Sequence, residues 1–355
     1  MSDKRMTIGE LAKIANVSTA TVSRAFRQPD TVCPETKSMI LKIAEDHHYE
    51  PKIYKKRSST SHKNPFIAVV VADMQNVFFQ EIISSISDVL KSKGISLFIC
   101  NSQESAENEL QCLNMLEQLQ VDGLFISPVS EASPINSEIL KSFHKKGVPV
   151  ILIDRDIKGI GLDGVFQDSY YAAFSATEKL LENKHIHIAH IAGPTTSMPG
   201  LDRLNGYIDS LKKHDVPIRE EYIVYGDFKQ ESGYRLTKKL LQNCPDITAI
   251  YAANNLMAIG ALKAINEAGL SIPNDIAFIS TGVLDHFDLF GNAVITEIVQ
   301  PISTMGEECA RMMLERLNSG LQKRKTMPVR RIIFDDFLVL KGSEVYPQNR
   351  LVAEY

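Results

Sequence analysis

The 355-residue sequence predicts an α/β protein with a small, all-helical N-terminal head of helix-turn-helix type. Three observations carry that prediction. Strand-like apolar runs alternate with amphipathic helix-like runs from residue 66 to about 280, the pattern of parallel sheets with helices on both faces. Short helical segments fill the first fifty residues. The charge is divided: residues 1–63 hold 12 Lys+Arg against 7 Asp+Glu, whereas the rest holds 27 against 36. A basic head on an acidic body suggests a polyanion-binding module attached to something that is not one.

Thr7-Ile-Gly-Glu10 is a capping box, and Ile8, Leu11, Ala12, Ile14 and Ala15 follow at helical spacing. Asn16-Val17 breaks that helix, and Ser18 caps a second over residues 19–26. The gap is as short as a helix-turn-helix requires. Val17 and Val22 are expected inside, which leaves Thr19, Ala20, Ser23 and Arg24 on the outer face. A third helix from Pro34 to about residue 48 carries Ile40, Leu41, Ile43 and Ala44 to close the core. Short side chains at the start of the second helix permit close approach to base edges. Arg24 can grip a guanine with two hydrogen bonds, and Ala20 or the Thr19 methyl can touch a thymine methyl. Residues 49–65 shift to Lys, Ser and Pro, which marks a domain boundary. The run Lys55-Lys56-Arg57 there can bind phosphates by charge.

In the body, strands are expected at 66–73, 95–101, 123–127, 148–154, 164–167, 187–193, 223–225, 247–252 and 276–280. Helices are expected at 79–93, 106–119, 170–183, 200–214, 230–243 and 256–268. The longest apolar run, residues 66–72, suits a buried strand and is too short for a bilayer. With no hydrophobic signal core at the N-terminus, a cytoplasmic protein without membrane contact is expected. The scattered Cys33, Cys100, Cys112, Cys244 and Cys309 form no CxxC pair, which fits a reducing compartment and argues against a zinc site. His187 and His190 fall on opposite faces of one strand and do not gather a metal. No GxGxxG or GxxxxGK[ST] opens the first helix of the body, and no GxSxG elbow occurs. The expectation is therefore no enzyme: no catalytic residue, metal or cofactor.

The head residues Thr7 to Arg24, with Pro34-Glu-Thr and Tyr49-Glu-Pro51, resemble the DNA-binding head of the lactose-repressor (LacI/GalR) family. The resemblance continues through Asn76-Val-Phe-Phe79, Val150 to Arg155, Ile191-Ala-Gly-Pro194, Arg203-Leu-Asn-Gly-Tyr207, Glu231 to Arg235, Ala253 to Gly260 and Gln300-Pro301. It covers nearly the whole chain. It implies a helix-turn-helix domain at 1–50, a basic hinge at 51–65, an effector-binding and dimerisation body at 66–342, and a tail at 343–355. The body is then periplasmic-binding-protein-like, two doubly wound parallel α/β subdomains with crossovers near 165, 293 and 322. The implied function is a nucleoid-associated repressor, a homodimer on operator DNA governed by a sugar, sugar acid or sugar phosphate. The other reading is a sugar sensor with weak DNA binding. The polar tail lacks heptads, so a tetramer is not expected.

By the same resemblance, Thr19, Ala20 and Arg24 contact bases, and the helix starts near Thr7 and Thr21 contact phosphates. Effector contacts fall on Phe78, Phe79, Asp154, Arg155, Gln167, Asp168, Ser197, Phe228, Asn254 and Asp285. The phenylalanines can equally be core. Asp154 and Arg155 either bind hydroxyls or pair with each other. The sequence departs from the family in places. Lys52, Lys55 and Ser58 stand where the hinge has Asn, a small residue and Leu. The hinge then bends DNA less, or wedges with Ile53 or Tyr54, or is a plain tether. Leu201 replaces an Arg common in sugar-binding members. The Gly-aromatic-Asp after residue 276 becomes Ser280 to Asp285, with Asp285 or Asp288 as replacement ligand or as solvated loop. Arg155, Thr195, Thr196 and Ser197 can hold an anion.

Overall fold

The computed structural model describes residues 6–27, 31–47, 49, 65–131, 133–284 and 294–346. The chain divides into two compact units, 1–63 and 64–355.

In the first unit, α1 (Ile8–Ile14) opens on the capping box. The Glu10 N–H donates to the Thr7 hydroxyl at 3.3 Å, and the Thr7 N–H donates to the Glu10 carboxylate at 2.7 Å. The helix stops where Asn16 turns left-handed at φ 51°, a conformation asparagine tolerates. Ser18 starts α2 (Thr19–Arg27) by accepting the Thr21 N–H at 3.0 Å. α3 (Pro34–Asp46) begins on a proline, whose missing N–H would have no helical partner there anyway. Leu11, Ala12, Ala15, Val22, Ala25, Ile40, Ala44 and Tyr49 form the core, with Val17 and Ile43 packed against it. Leu41 is a correction: it is 40% exposed. Ile40 and Ala44, four residues apart, already occupy the inward face of α3, and the next residue along a helix points elsewhere. Thr7→Ala is expected to cost the head about 1 kcal/mol by removing the cap acceptor. Amide exchange across α1 measures it, and unchanged protection would show that the cap does not hold the helix.

The second unit begins with β1 (Ile67–Val71), α4 (Val77–Lys91), β2 (Leu97–Asn101), α5 (Ala106–Leu119), β3 (Gly123–Ile126), α6 (Pro134–Lys146), β4 (Val150–Ile153) and β5 (Asp163–Gln167). It continues with α7 (Ser169–Glu182), β6 (Ile188–Ala192), α8 (Met198–Lys213), β7 (Ile223–Tyr225), α9 (Gln230–Asn243), β8 (Ala249–Ala252), α10 (Asn255–Glu267), β9 (Ala277–Thr281) and β10 (Thr296–Val299). It closes with α11 (Ile302–Asn318), α12 (Leu321–Thr326), β11 (Arg331–Phe334) and β12 (Phe337–Val339).

The strands form two six-stranded sheets, in the orders β11-β5-β4-β3-β1-β2 and β12-β10-β9-β8-β6-β7. Every described pairing is parallel except β12 on β10. β1, β3, β4, β6 and β8 are buried at every position, as strands covered on both faces must be. α4 and α11 cover one face of the first sheet, and α5 and α6 the other. α9 and α10 cover one face of the second, and α7 and α8 the other. Gly260 lets α10 lie directly on the start of α9: a β-carbon there would collide with the Gln230 carbonyl.

The chain passes between the sheets three times. The first passage follows Gln167, close to the expected 165. The second follows Val299 and the third joins Phe334 to Phe337, which corrects the expected 293 and 322. β10 still belongs to the second sheet, so the chain cannot leave before it. After α11 it adds β11 beside β5 in the first sheet, which delays the last passage.

Candidate functional site

The two sheets share a cleft of about 400 Å³, counting its open mouth. It lies at the carboxyl ends of the strands, where α/β sheets bind ligands. Asn76 follows β1 and caps α4 by accepting the Phe78 N–H at 3.0 Å. That cap turns Phe78 and Phe79 onto the cleft, their rings edge to face at 5.1 Å. Asp154 follows β4 directly with a left-handed backbone, φ 61°. Its Oδ1 is buried and has no hydrogen-bond partner among the described residues. Burial pushes its carboxyl pKa upward, against the pull of Arg203 and Arg155.

Asp154 does not pair with its neighbour. The Arg155 guanidinium donates instead to both oxygens of Glu104, at 2.8 and 2.7 Å. The same guanidinium lies 6.0 Å from the Phe79 ring centre and 5.5 Å from that of Phe228. Phe228 comes from the second sheet's side with φ 64°. Asn254 locks that turn: its amide donates to the Phe228 carbonyl at 2.9 Å while its oxygen caps α10 at Met257. Backbone strain at two cleft residues marks positions the surroundings hold in place.

Of the expected effector residues, Phe78, Phe79, Asp154, Arg155, Phe228 and Asn254 line this one cleft. Three others do not, and each has a structural duty instead. Gln167 accepts from Gln300 across two passages. Asp168 caps α7 through the Tyr171 N–H at 2.9 Å. Ser197 caps α8 at Gly200 and donates to the Pro194 carbonyl at 3.0 Å. Asp285 lies outside the described residues.

Arg203, Asn76, Thr281 and Gln300, which sequence reasoning did not assign to the site, are also on the cleft wall, as is Asn255, which stands where the family more often has Asp. Leu201 is not on that wall. Arg203 is 5% exposed and donates to the Ala253 carbonyl at 2.8 Å, while its Nε has no partner among the described residues. Its place inside the matched motif was the available signal. On the third passage, both carboxylate oxygens of Asp336 also lack partners among the described residues. Burial pushes the Asp336 pKa up to about 7, with Arg203 opposing.

Among the described residues, no group of three His, Cys, Asp or Glu is placed to hold a metal. His190 lies between Tyr207 and Tyr251, its ring 4.9 and 4.7 Å from theirs. Its Nδ1 is 3.0 Å from the Tyr251 carbonyl. Burial pulls its pKa down to about 4. It is a core residue. No helix among the described residues is long and apolar enough to cross a membrane.

On the head, Thr19, Ala20 and Arg24 are exposed along α2 and Ser23 is half-buried beside them. The Thr21 hydroxyl is 2.8 Å from that of Ser18. Thr7 is exposed at the start of α1. Lys55, Lys56 and Arg57 lie outside the described residues.

A helix-turn-helix unit and a two-sheet body with a polar cleft define a ligand-responsive DNA-binding protein. The family model for periplasmic binding proteins and the sugar binding domain of the LacI family matches residues 64–338. That for bacterial regulatory proteins of the lacI family matches residues 7–52. The chain belongs to the LacI family and is an effector-controlled DNA-binding transcription regulator. It is 30% identical to the HTH-type transcriptional repressor PurR of Yersinia pestis over 91% of this chain and 94% of that one. A transcriptional regulator CelR–cellobiose complex superposes with a TM-score of 0.68 at 25% identity, over 96% of this chain and all of that one. A LacI family regulator from Enterococcus faecium with bound ribose gives 0.68 at 25%, over 80% and 99%.

Proposed function

We propose that this regulator represses transcription as a homodimer on a near-palindromic operator, released or recruited by a small hydroxylated ring of the sugar class. The cleft carries the effector half of the reading. Asp154 Oδ1, Arg155 Nε and Arg203 Nε are buried polar atoms without partners among the described residues, and the Arg155 guanidinium lies near the rings of Phe79 and Phe228. Such atoms cost energy unless a ligand satisfies them. Hydroxyls supply both donors and acceptors, and the ring faces suit an apolar sugar face. The cellobiose and ribose named for the two similar structures are of this class.

Self-association is supported by apolar side chains on the edge strands. Phe98 and Ile99 on β2 are 39% and 44% exposed, and Tyr225 on β7 is 53% exposed. A dimer would set two α2 helices one DNA turn apart. Thr19, Ala20, Ser23 and Arg24 then face bases, Thr7 and Thr21 the phosphates, and Lys55, Lys56 and Arg57 add charge contacts from the hinge. The protein binds its effector without turning it over and works in the cytoplasm.

Sequencing genomic fragments retained by the purified protein, with and without pooled sugars, tests this. A few sites sharing one palindrome, gained or lost with a sugar, support it. Diffuse binding insensitive to sugars favours a sensor with weak DNA affinity. On such a site, Arg24→Ala is expected to weaken binding by about 10- to 100-fold and relax preference at one base pair per half-site. A uniform loss across all sequences would assign Arg24 to the backbone instead.

A further inference from the structure

We propose that Glu104 sets the charge class of the effector: it neutralises Arg155 inside the cleft and so selects an uncharged ring over its acid or phosphate. This rests on the reading of the cleft as a sugar site. Arg155 is the residue an anion would be expected to seek, because a guanidinium grips a carboxylate or phosphate through two parallel hydrogen bonds. Here both Nη atoms are already engaged in that way by the Glu104 carboxylate, at 2.8 and 2.7 Å. The pair is nearly dry, with side-chain exposures of 5% for Arg155 and 14% for Glu104. An anionic ligand would have to displace a carboxylate already bound with the geometry it would itself use.

The surroundings reinforce that choice. Asp154 and Glu109 also lie within electrostatic reach of Arg155, so the guanidinium faces acidic groups on several sides. The Ser197 hydroxyl is occupied in capping α8 and in donating to the Pro194 carbonyl. Two of the five guanidinium N–H donors go to Glu104, and the buried Nε–H, which has no partner among the described residues, is a single donor that a hydroxyl can meet.

Glu104 is held for this contact at some backbone cost. Gln103 and Glu104 are consecutive non-glycine residues in the left-handed region, at φ 55° and 57°. The Glu104 N–H donates to the Ala72 carbonyl at 2.7 Å, which ties the turn between β2 and α5 to the end of β1. A buried ion pair adds little stability over apolar packing, so its value here lies in what it admits to the cleft.

Calorimetric titration of the full-length protein tests the proposal. One probe set is ribose, glucose, galactose and cellobiose; the other is gluconate, glucuronate, galacturonate and glucose 6-phosphate. The wild type is expected to bind a neutral probe at least tenfold more tightly than any acidic one. Glu104→Gln, which keeps the shape and one of the two acceptors but loses the charge, is expected to shift that ratio at least tenfold toward the acids. Glu104→Asp, which keeps the charge, is expected to retain the neutral preference. Thermal melts of each variant separate a folding defect from a change of preference. An acidic probe bound best by the wild type overturns the proposal, as does an unchanged ratio in a folded Glu104→Gln protein. Binding of neither set by any of the three proteins fails the sugar reading itself, and this proposal with it.

Discussion

Asp336→Asn is expected to stabilise the protein at pH 8 by about 2–4 kcal/mol, and to do nothing near pH 4. Both oxygens of this carboxylate are buried without partners among the described residues. Burial is the main reason its pKa stands at about 7, with Asp154, Asp168 and Asp335 adding repulsion and Arg203 opposing. The folded state therefore holds the proton more tightly than the unfolded chain does, whose carboxyl titrates near 3.8. Stability from this group is full below that value and is lost as pH rises toward 7. The asparagine amide brings its own unsatisfied polarity, which is why the gain is set below the full shift.

His190 acts in the opposite direction. Its folded pKa is about 4 against 6.5 for the free side chain. Its contribution is full above 6.5 and is lost as pH falls toward 4, by up to about 3 kcal/mol. Between pH 4 and 6.5 the two slopes offset each other. Unfolding by urea at pH 5, 6, 7 and 8 reads both: Asp336→Asn should remove the fall in stability that this carboxyl adds as pH rises toward 7, and leave the histidine contribution below pH 6.5 in place. A variant no more stable than wild type at pH 8 would mean that Asp336 is solvated or paired after all. An unpaired carboxylate kept on the third passage, beside the arginine of the cleft, has the character of a functional group retained at the expense of stability.

How far the sequence was legible depended on the range of the cause. The capping box at Thr7, the left-handed break at Asn16 and the helices at 106–119 and 230–243 follow from neighbours a few residues apart, and the structure has them in those places. The alternation of strand and helix was enough for the parallel sheets. The return of α11 to the first sheet was not legible, because the packing of Met305, Cys309 and Met313 on β1 and β4 joins residues far apart in the chain. Phe79 and Asp154, which follow strands, stand on the cleft wall where that place in the sequence set them. Asp168 and Ser197, which also follow strands, cap the next helix and stand off that wall; a capping residue and a ligand contact share residue type and place in the sequence, so the sequence alone does not separate them. Arg203 and Glu104 were missed for a converse reason. Their partners, Ala253 and Arg155, lie about fifty residues away.

Arg316→Ala is expected to destabilise the body by about 3–5 kcal/mol, because it strands a buried carboxylate. Arg316 Nε and Nη2 donate to the two oxygens of Asp163, both at 2.6 Å, with side-chain exposures of 8% and 7%. Nη2 also donates to the Pro328 carbonyl at 2.6 Å, and Asp163 accepts the Arg330 N–H at 2.9 Å. One ion pair thus ties the end of α11 to the start of β5 and to the segment that leads into β11. β11 is the strand from which the chain makes its third passage, so loosening it loosens the cleft as well. A second variant separates the two consequences. Arg316→Met with Asp163→Leu removes both charges and fills similar volume, and is expected to recover most of the lost stability, since a buried pair is worth little over apolar packing. It should not recover effector response in full, because Pro328 and Arg330 stay unanchored. If the single variant lost less than about 1 kcal/mol in urea unfolding, water would have to reach Asp163, and the pair would be no anchor.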